Sequence, residues 1–182
     1  MKNLKSFDQF LNEAAQNKVI YAIDRKSLES IIENEIAKFG PNADLSHVDV
    51  SRIKDMSFLF AEMPFNGNIS EWNVSNVKNM SYMFYGSDFK GDISEWDVSN
   101  VTNMEGMFEG TPFKGDVSGW NVSKVTNMAS MFYDTPFDGN LRNWDIRNVR
   151  YMKGIFSKSK VHSDFDWDLS KVKDIKSSDG LW

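Results

Sequence analysis

Between Phe65 and Lys160 one 24-residue pattern is written four times, with Trp72, Trp96, Trp120 and Trp144 marking its period. Each copy is a close variant of FxGDISxWNVSNVxNMxxMF. A fixed repeat of this length constrains the fold more than any composition does, because a single unit cannot bury its apolar face alone and must stack on its neighbours. One period before Trp72 stands Val48, and DLSHVDVSRIKDMSFLF at 44–60 aligns position by position with NISEWNVSNVKNMSYMF at 68–84. At the other end Phe165, Trp167, Leu169, Val172 and Ile175 continue the pattern with one residue deleted after Val161. About six units are therefore expected over residues 41–176.

Within a unit, Ile69, Trp72 and Val74 have the spacing LxxLxL. It predicts a short strand with Trp72 and Val74 inward and Asn73 outward. Val77 follows as another inward residue. Asn79, like Asp55, Asn103 and Asn127, stands just before apolar residues at i, i+3 and i+4 (Met80, Met83, Phe84), which reads as a capped helix of one or two turns. Gly67, Gly91, Gly115 and Gly139 fall in the returning turn, where a positive φ is expected. The expected fold class is an α/β repeat solenoid resembling leucine-rich repeats, each coil a short strand plus a short helix, with an N-terminal helical cap. Its core columns are Phe, Ile, Trp, Val, Val, Met, Met and Phe, each stacked on its own copies.

The flanks divide simply. Residues 1–17 form an N-terminal arm in which Phe7, Phe10, Leu11 and Ala14 give one apolar side to a short helix too short to stand alone in water. Residues 18–40 read as a brief strand or extended lead-in, then a helix capped by Asp24 or Ser27. That helix carries Leu28, Ile31, Ile32 and Ile36 and ends at Gly40 and Pro41. It is placed to cover the open end of the stack. Residues 177–182 form a tail whose Trp182 is expected to plug the last coil.

Composition narrows the function. There is no cysteine, which removes disulfides, thiolate chemistry and Cys-ligated zinc. The net charge of -5 argues against a nucleic-acid binder. Charge is uneven: residues 65–136 hold four Lys against nine Asp or Glu, and residues 137–176 hold nine Lys or Arg against six Asp. Arg142, Arg147, Arg150 and Lys153 make a basic patch near that end, read as solvated surface. No stretch approaches a membrane span, and the N-terminus lacks the apolar run of a secretory signal. His47 and His162 match no metal spacing. The Met columns read as core filler rather than metal ligands. No nucleophile motif, Walker loop or GxGxxG occurs, so neither an enzyme nor a cofactor is expected.

The outward columns carry the candidate contacts. Between Trp and Val the residues are Asp49, Asn73, Asp97, Asn121, Asp145 and Asp168, largely alternating amide and carboxylate. Two readings stand: a ladder in which Asn amides bridge Asp neighbours, or a polar strip for a cation or basic partner, flanked by Glu71 and Glu95. Asp44, Asn68, Asp92, Asp116 and Asn140 form a second column of Asx turns. Phe58, Tyr82, Tyr85 and Tyr133 stand where other units have small or charged residues, and exposed aromatics anchor partners.

The stretch WNVSNVKNMSYMFYGSDFKGDISEW resembles the BspA-like, mycoplasma-lipoprotein-type repeat family over about residues 42–176. That resemblance implies a relative of leucine-rich repeats acting in adhesion or protein binding, mostly at cell surfaces. Val77, Val101, Val125 and Val149 stand where the leucine-rich consensus has its ladder Asn. The N-terminal MKNLKSFDQFLNEAA is similar to the capsid-targeting peptides of large contractile-tailed phages, cut after a Leu-x-Glu triplet, here Leu11, Asn12 and Glu13, with Ala14 following. The two resemblances together imply a non-enzymatic protein-binding or structural protein with a capsid or other virion protein as partner, in a virion or inside the cell. A cell-surface adhesin or interaction module is the alternative.

Overall fold

The computed structural model describes residues 19–161, 167–174 and 178–182. The chain enters through β1 (Ile20–Tyr21), which pairs in parallel with β2 (Val48–Asp49) in the first unit. Between them runs α1 (Arg25–Phe39). Asp24 caps it by accepting the Ser27 N–H while the Ser27 hydroxyl closes a capping box with Asp24 backbone. Gly40, at φ 82, ends it and donates its N–H to the Ile36 carbonyl. Leu28 and Ile32 are fully buried, so α1 packs its apolar stripe on the repeat units.

Successive units lie one on the next at a 24-residue step. Parallel bridges join Asp55 to Asn79, Asn79 to Asn103, Asn103 to Asn127 and Asn127 to Tyr151. Beyond each bridge every second amide continues the join. Met80, Tyr82, Phe84 and Gly86 donate to the Asn103, Glu105, Met107 and Glu109 carbonyls at 2.9, 2.7, 3.0 and 2.8 Å. The residues between them turn inward on their own unit: Met83 donates to the Met80 carbonyl and Tyr85 to that of Tyr82.

This backbone differs from the short helix expected after Asn79. A helix would satisfy its amides within the segment and leave none to join the neighbouring unit, and a segment this short forms a poor helix. Here two turns, Met80–Met83 and Phe84–Ser87, each hold a left-handed third residue, Tyr82 at φ 54 and Gly86 at φ 61, which swings alternate amides along the stack. The same two places recur as Phe58, Gly106, Ser130 and Gly154, and as Glu62, Gly110, Asp134 and Lys158.

The strand expected over Ile69–Val74 is likewise replaced by tight turns. Trp72 donates back to the Ile69 carbonyl and Val77 to that of Val74. The side chains of Asn68 and Asn73 accept from the N–H groups of Ser70 and Ser75. A three-residue turn keeps Ile69 and Trp72 on the same side, so LxxLxL spacing is served by turns as well as by a strand. The Asn and Ser residues around it favour the turn.

The inward columns pack as rings on rings. Phe60, Phe84, Phe108 and Phe132 stack at 5.6–5.7 Å between centroids. Phe65, Phe89, Phe113 and Phe137 form a second stack beside them, 4.1 Å from the first within each unit. Each buried Phe contributes about 1.5–3 kcal/mol of transfer free energy. The Trp column adds direction: Nε1 of Trp72, Trp96, Trp120 and Trp144 donates to the Leu45, Ile69, Ile93 and Val117 carbonyl of the preceding unit at 2.9–3.2 Å. The glycines at 67, 91, 115 and 139 do not have the positive φ expected of them. They are small because a Cβ at Gly91 would lie 2.9 Å from the Phe89 ring and at Gly67 2.0 Å from the Ala43 carbonyl.

Both ends of the amide column are finished by other residues. At the start, the guanidinium of Arg25 in α1 donates to the Asp55 and Ser57 carbonyls and pairs with Glu29 and Asp55. At the finish, Gly154 and Phe156 donate to the Gly180 and Leu181 carbonyls, both at 2.8 Å. Asp174 accepts from Met152 and Lys153. The Trp182 ring lies 5.5 Å from Phe156. These residues substitute for a further unit.

Candidate protein-contact face

The left-handed column puts aromatic side chains on one long surface. Phe58, 55 % exposed, stacks on Tyr82 at 4.9 Å, and Tyr82 meets Tyr85 edge-on at 5.9 Å. The Tyr82 hydroxyl donates to Glu105 at 2.9 Å, and Asn127 donates to the other oxygen of the same carboxylate at 2.9 Å. Burial, then the Glu105 hydrogen bond and the charges of Glu105 and Glu109, push the Tyr82 phenol up to about 12. Glu109 is raised above its ordinary value by burial and by the Glu105 and Asp134 carboxylates. Further along, Lys158 lies 4.9 Å over the Tyr133 ring.

A residue other than glycine at positive φ costs about 1–2 kcal/mol. Gly106 and Gly154 occupy the same column as Phe58 and Tyr82. The space over Gly106 is filled by Tyr82 itself: a Cβ there would lie 2.3 Å from that ring. The surface is thus aromatic in the first units, acidic around Glu105 and Glu109, and basic at Lys158.

The second sequence-derived group lies elsewhere in the unit. Asn73, Asp97, Asn121 and Asp145 each turn a side-chain oxygen to the N–H two residues on: Ser75, Ser99, Ser123 and Arg147. Among the described residues the expected Asn-to-Asp ladder does not run along this column, because local turns occupy those oxygens. Glu71 and Glu95 are exposed beside it. The Asp44 column makes the same turn through Ser46, Ser94, Ser118 and Arg142. Leu11, Glu13 and Ala14 lie outside the described residues.

Amide contacts between units fall in two places that the sequence reading passed over. Asn76, Asn100 and Asn148 donate to the Ser51, Ser75 and Ser123 carbonyls at 2.7–2.9 Å, one unit back. Asn79 donates to Asp55 at 3.2 Å. The signal was present, since Asn76, Asn100 and Asn148 share one place in the period, held by Arg52, Lys124 and Lys171 in the other units. Lys124 instead donates to Asn100 at 2.7 Å. Glu105, Glu109 and Arg25 were also missed, because their partners depend on the backbone path. Among the described residues no group of His, Asp or Glu side chains converges to hold a metal ion. No helix there is long and apolar enough to cross a membrane.

Units hydrogen-bonded at a constant 24-residue step, with ring columns running through them, define a tandem-repeat protein of the BspA-like, mycoplasma type. The chain belongs to the family described as Mycoplasma protein of unknown function, DUF285, whose profile matches residues 26–134 and again 86–178. Comparison with curated proteins and with solved structures gave no significant match.

Proposed function

We propose that residues 41–176 form a leucine-rich-repeat-like solenoid of about six coils that acts as a non-enzymatic contact platform for another protein. The Phe58–Tyr82 pair carries this reading. Two bulky rings are kept in left-handed backbone, in a column where Gly106 and Gly154 stand in other units, and one of them is more than half exposed. Backbone strain retained at a surface points to a role for the side chain there. Exposed aromatics beside carboxylates are typical anchors for a protein partner. A photo-crosslinking residue placed at position 58 or 85 should capture the partner in the native source, whereas one at Glu71 or Glu95 should not. Equal capture from both places, or from Glu71 and Glu95 alone, would move the contact to the Asx-turn column.

Carriage in a phage particle is the finer reading, and the resemblance of the first fifteen residues to capsid-targeting peptides is its support. It is tested apart from the contact face, by the N-terminal residue of the protein in its native source. A chain beginning at Ala14 favours virion processing; a chain beginning at Met1 and absent from particles favours an adhesin or intracellular binding module.

A further inference from the structure

Building on the contact-platform reading, we propose that the Tyr85 ring, together with Gly110 and Glu109, is a seat for a lysine or arginine side chain of the partner protein. The chain itself contains a filled seat of this kind. Lys158 sits 4.9 Å over the ring of Tyr133, with the Asp134 charge acting on it. Lys158 follows Tyr133 by 25 residues, and Gly110 follows Tyr85 by the same number. The backbone register is also the same: Asp134 donates to the Ser157 carbonyl at 2.8 Å, and Gly86 to the Glu109 carbonyl at 2.8 Å. Gly110 at φ 69 and Lys158 at φ 60 share one conformation. At Tyr85 the place of the lysine is therefore taken by a residue with no side chain.

The charge around this place is one-sided. Glu109 occupies the same place in the period as Tyr85, one unit further on, and among the described residues it makes no ion pair. Glu105 is held by Tyr82 and Asn127, so its charge stays fixed nearby. A ring face beside unneutralised carboxylates attracts a cation by both its quadrupole and the net charge. A basic side chain arriving from outside would complete at Tyr85 what Lys158 completes at Tyr133.

The test uses the full chain and a fluorescently labelled oligolysine peptide, with binding followed by anisotropy at low and at physiological ionic strength. Tyr85→Leu and Glu109→Gln should each weaken binding about tenfold, whereas Tyr85→Phe, which keeps the ring face, should retain it. Glu71→Gln and Glu95→Gln remove the same charge elsewhere and should leave binding unchanged. Gly110→Lys should fill the seat from within and abolish binding. A Cβ at Gly110 would approach nothing closer than 3.8 Å, and Lys158 shows that lysine tolerates this backbone. Absence of peptide binding, or equal weakening by Glu71→Gln and Glu109→Gln, would overturn the seat. Crosslinking of a native partner at position 58 with Tyr85→Leu without effect would overturn it too, while leaving the contact platform in place.

Discussion

Tyr82 joins backbone strain, packing and surface chemistry in one residue. Its ring covers Gly106 and stacks on Phe58, so substitution at position 106 meets two penalties. Gly106→Ala puts a methyl at φ 56, which costs about 1–2 kcal/mol, and drives it into the Tyr82 ring, which costs about 1–3 kcal/mol more. Gly110→Ala carries only the first of these. Urea unfolding should therefore rank Gly106→Ala well below Gly110→Ala, and in a Tyr82→Gly background the difference should vanish. A second residue-scale expectation concerns Glu109. Its folded carboxyl lies above the ordinary 4.5, so ionisation opposes folding as pH rises through that value. Glu109→Gln should raise stability at pH 7 and change little well below pH 4.5, as thermal unfolding at the two pH values would show.

Inward side chains were legible at this scale because period alone orders them: Trp96, Met104, Met107 and Phe108 are buried in the places their spacing assigns. The sign of φ was not legible. Tyr82 and Gly106 share a place in the period, but nothing in the residue types says that this place is left-handed. Gly91 gave the opposite error, since its smallness answers to the Phe89 ring and not to a turn.

At the scale of elements, α1 and the Trp column each hold a unit by satisfying carbonyls. Arg25 reaches from the first turn of α1 to the carbonyls of Asp55 and Ser57, which in later units accept amides from the preceding unit. Arg25→Met keeps much of the stem packing and removes the donors, and should destabilise the first unit by about 1.5–3 kcal/mol. Faster hydrogen exchange at Met56 and Phe58 than at Met104 and Gly106 would be its signature. Trp96→Phe keeps a ring in the column and removes the indole donor from the Ile69 carbonyl, which still accepts from the Trp72 N–H, so the cost should be about 0.5–1.5 kcal/mol. The caps of α1 were readable because Asp24, Ser27 and Gly40 have standard cap chemistry. The interior of the repeat was harder: Asn-Met-x-x-Met-Phe satisfies helical spacing, yet the same three apolar residues point inward from two turns, and only the amide count between units separates the two.

Across the whole molecule the Asx turns recur at three places in the repeat, beginning at the Asn68, Asn73 and Asn79 positions, and several use carboxylates. Hydrogen bonds from Ser94, Ser99 and Ser118 hold Asp92, Asp97 and Asp116 below the ordinary 3.8. Arg147 pulls Asp145 down to about 2. In each case the ionised form is favoured by folding. Their stabilisation is complete above pH 3.8 and is lost as pH falls through the folded values. Thermal stability should fall on acidification through the units whose turns use Asp, and Asp97→Asn, which keeps the turn acceptor as Asn73 does, should flatten that loss.

The stack itself is tested most directly by residue-resolved hydrogen exchange on the free protein. If the units form one continuous solenoid, the slowest amides are those passed from unit to unit: Met80, Tyr82, Phe84 and Gly86, then Met104, Gly106, Phe108 and Gly110. Gly154 and Phe156 should be protected with them through the Gly180 and Leu181 carbonyls. Protection confined to α1, with the amides at these places exchanging as freely as surface turns, would contradict it.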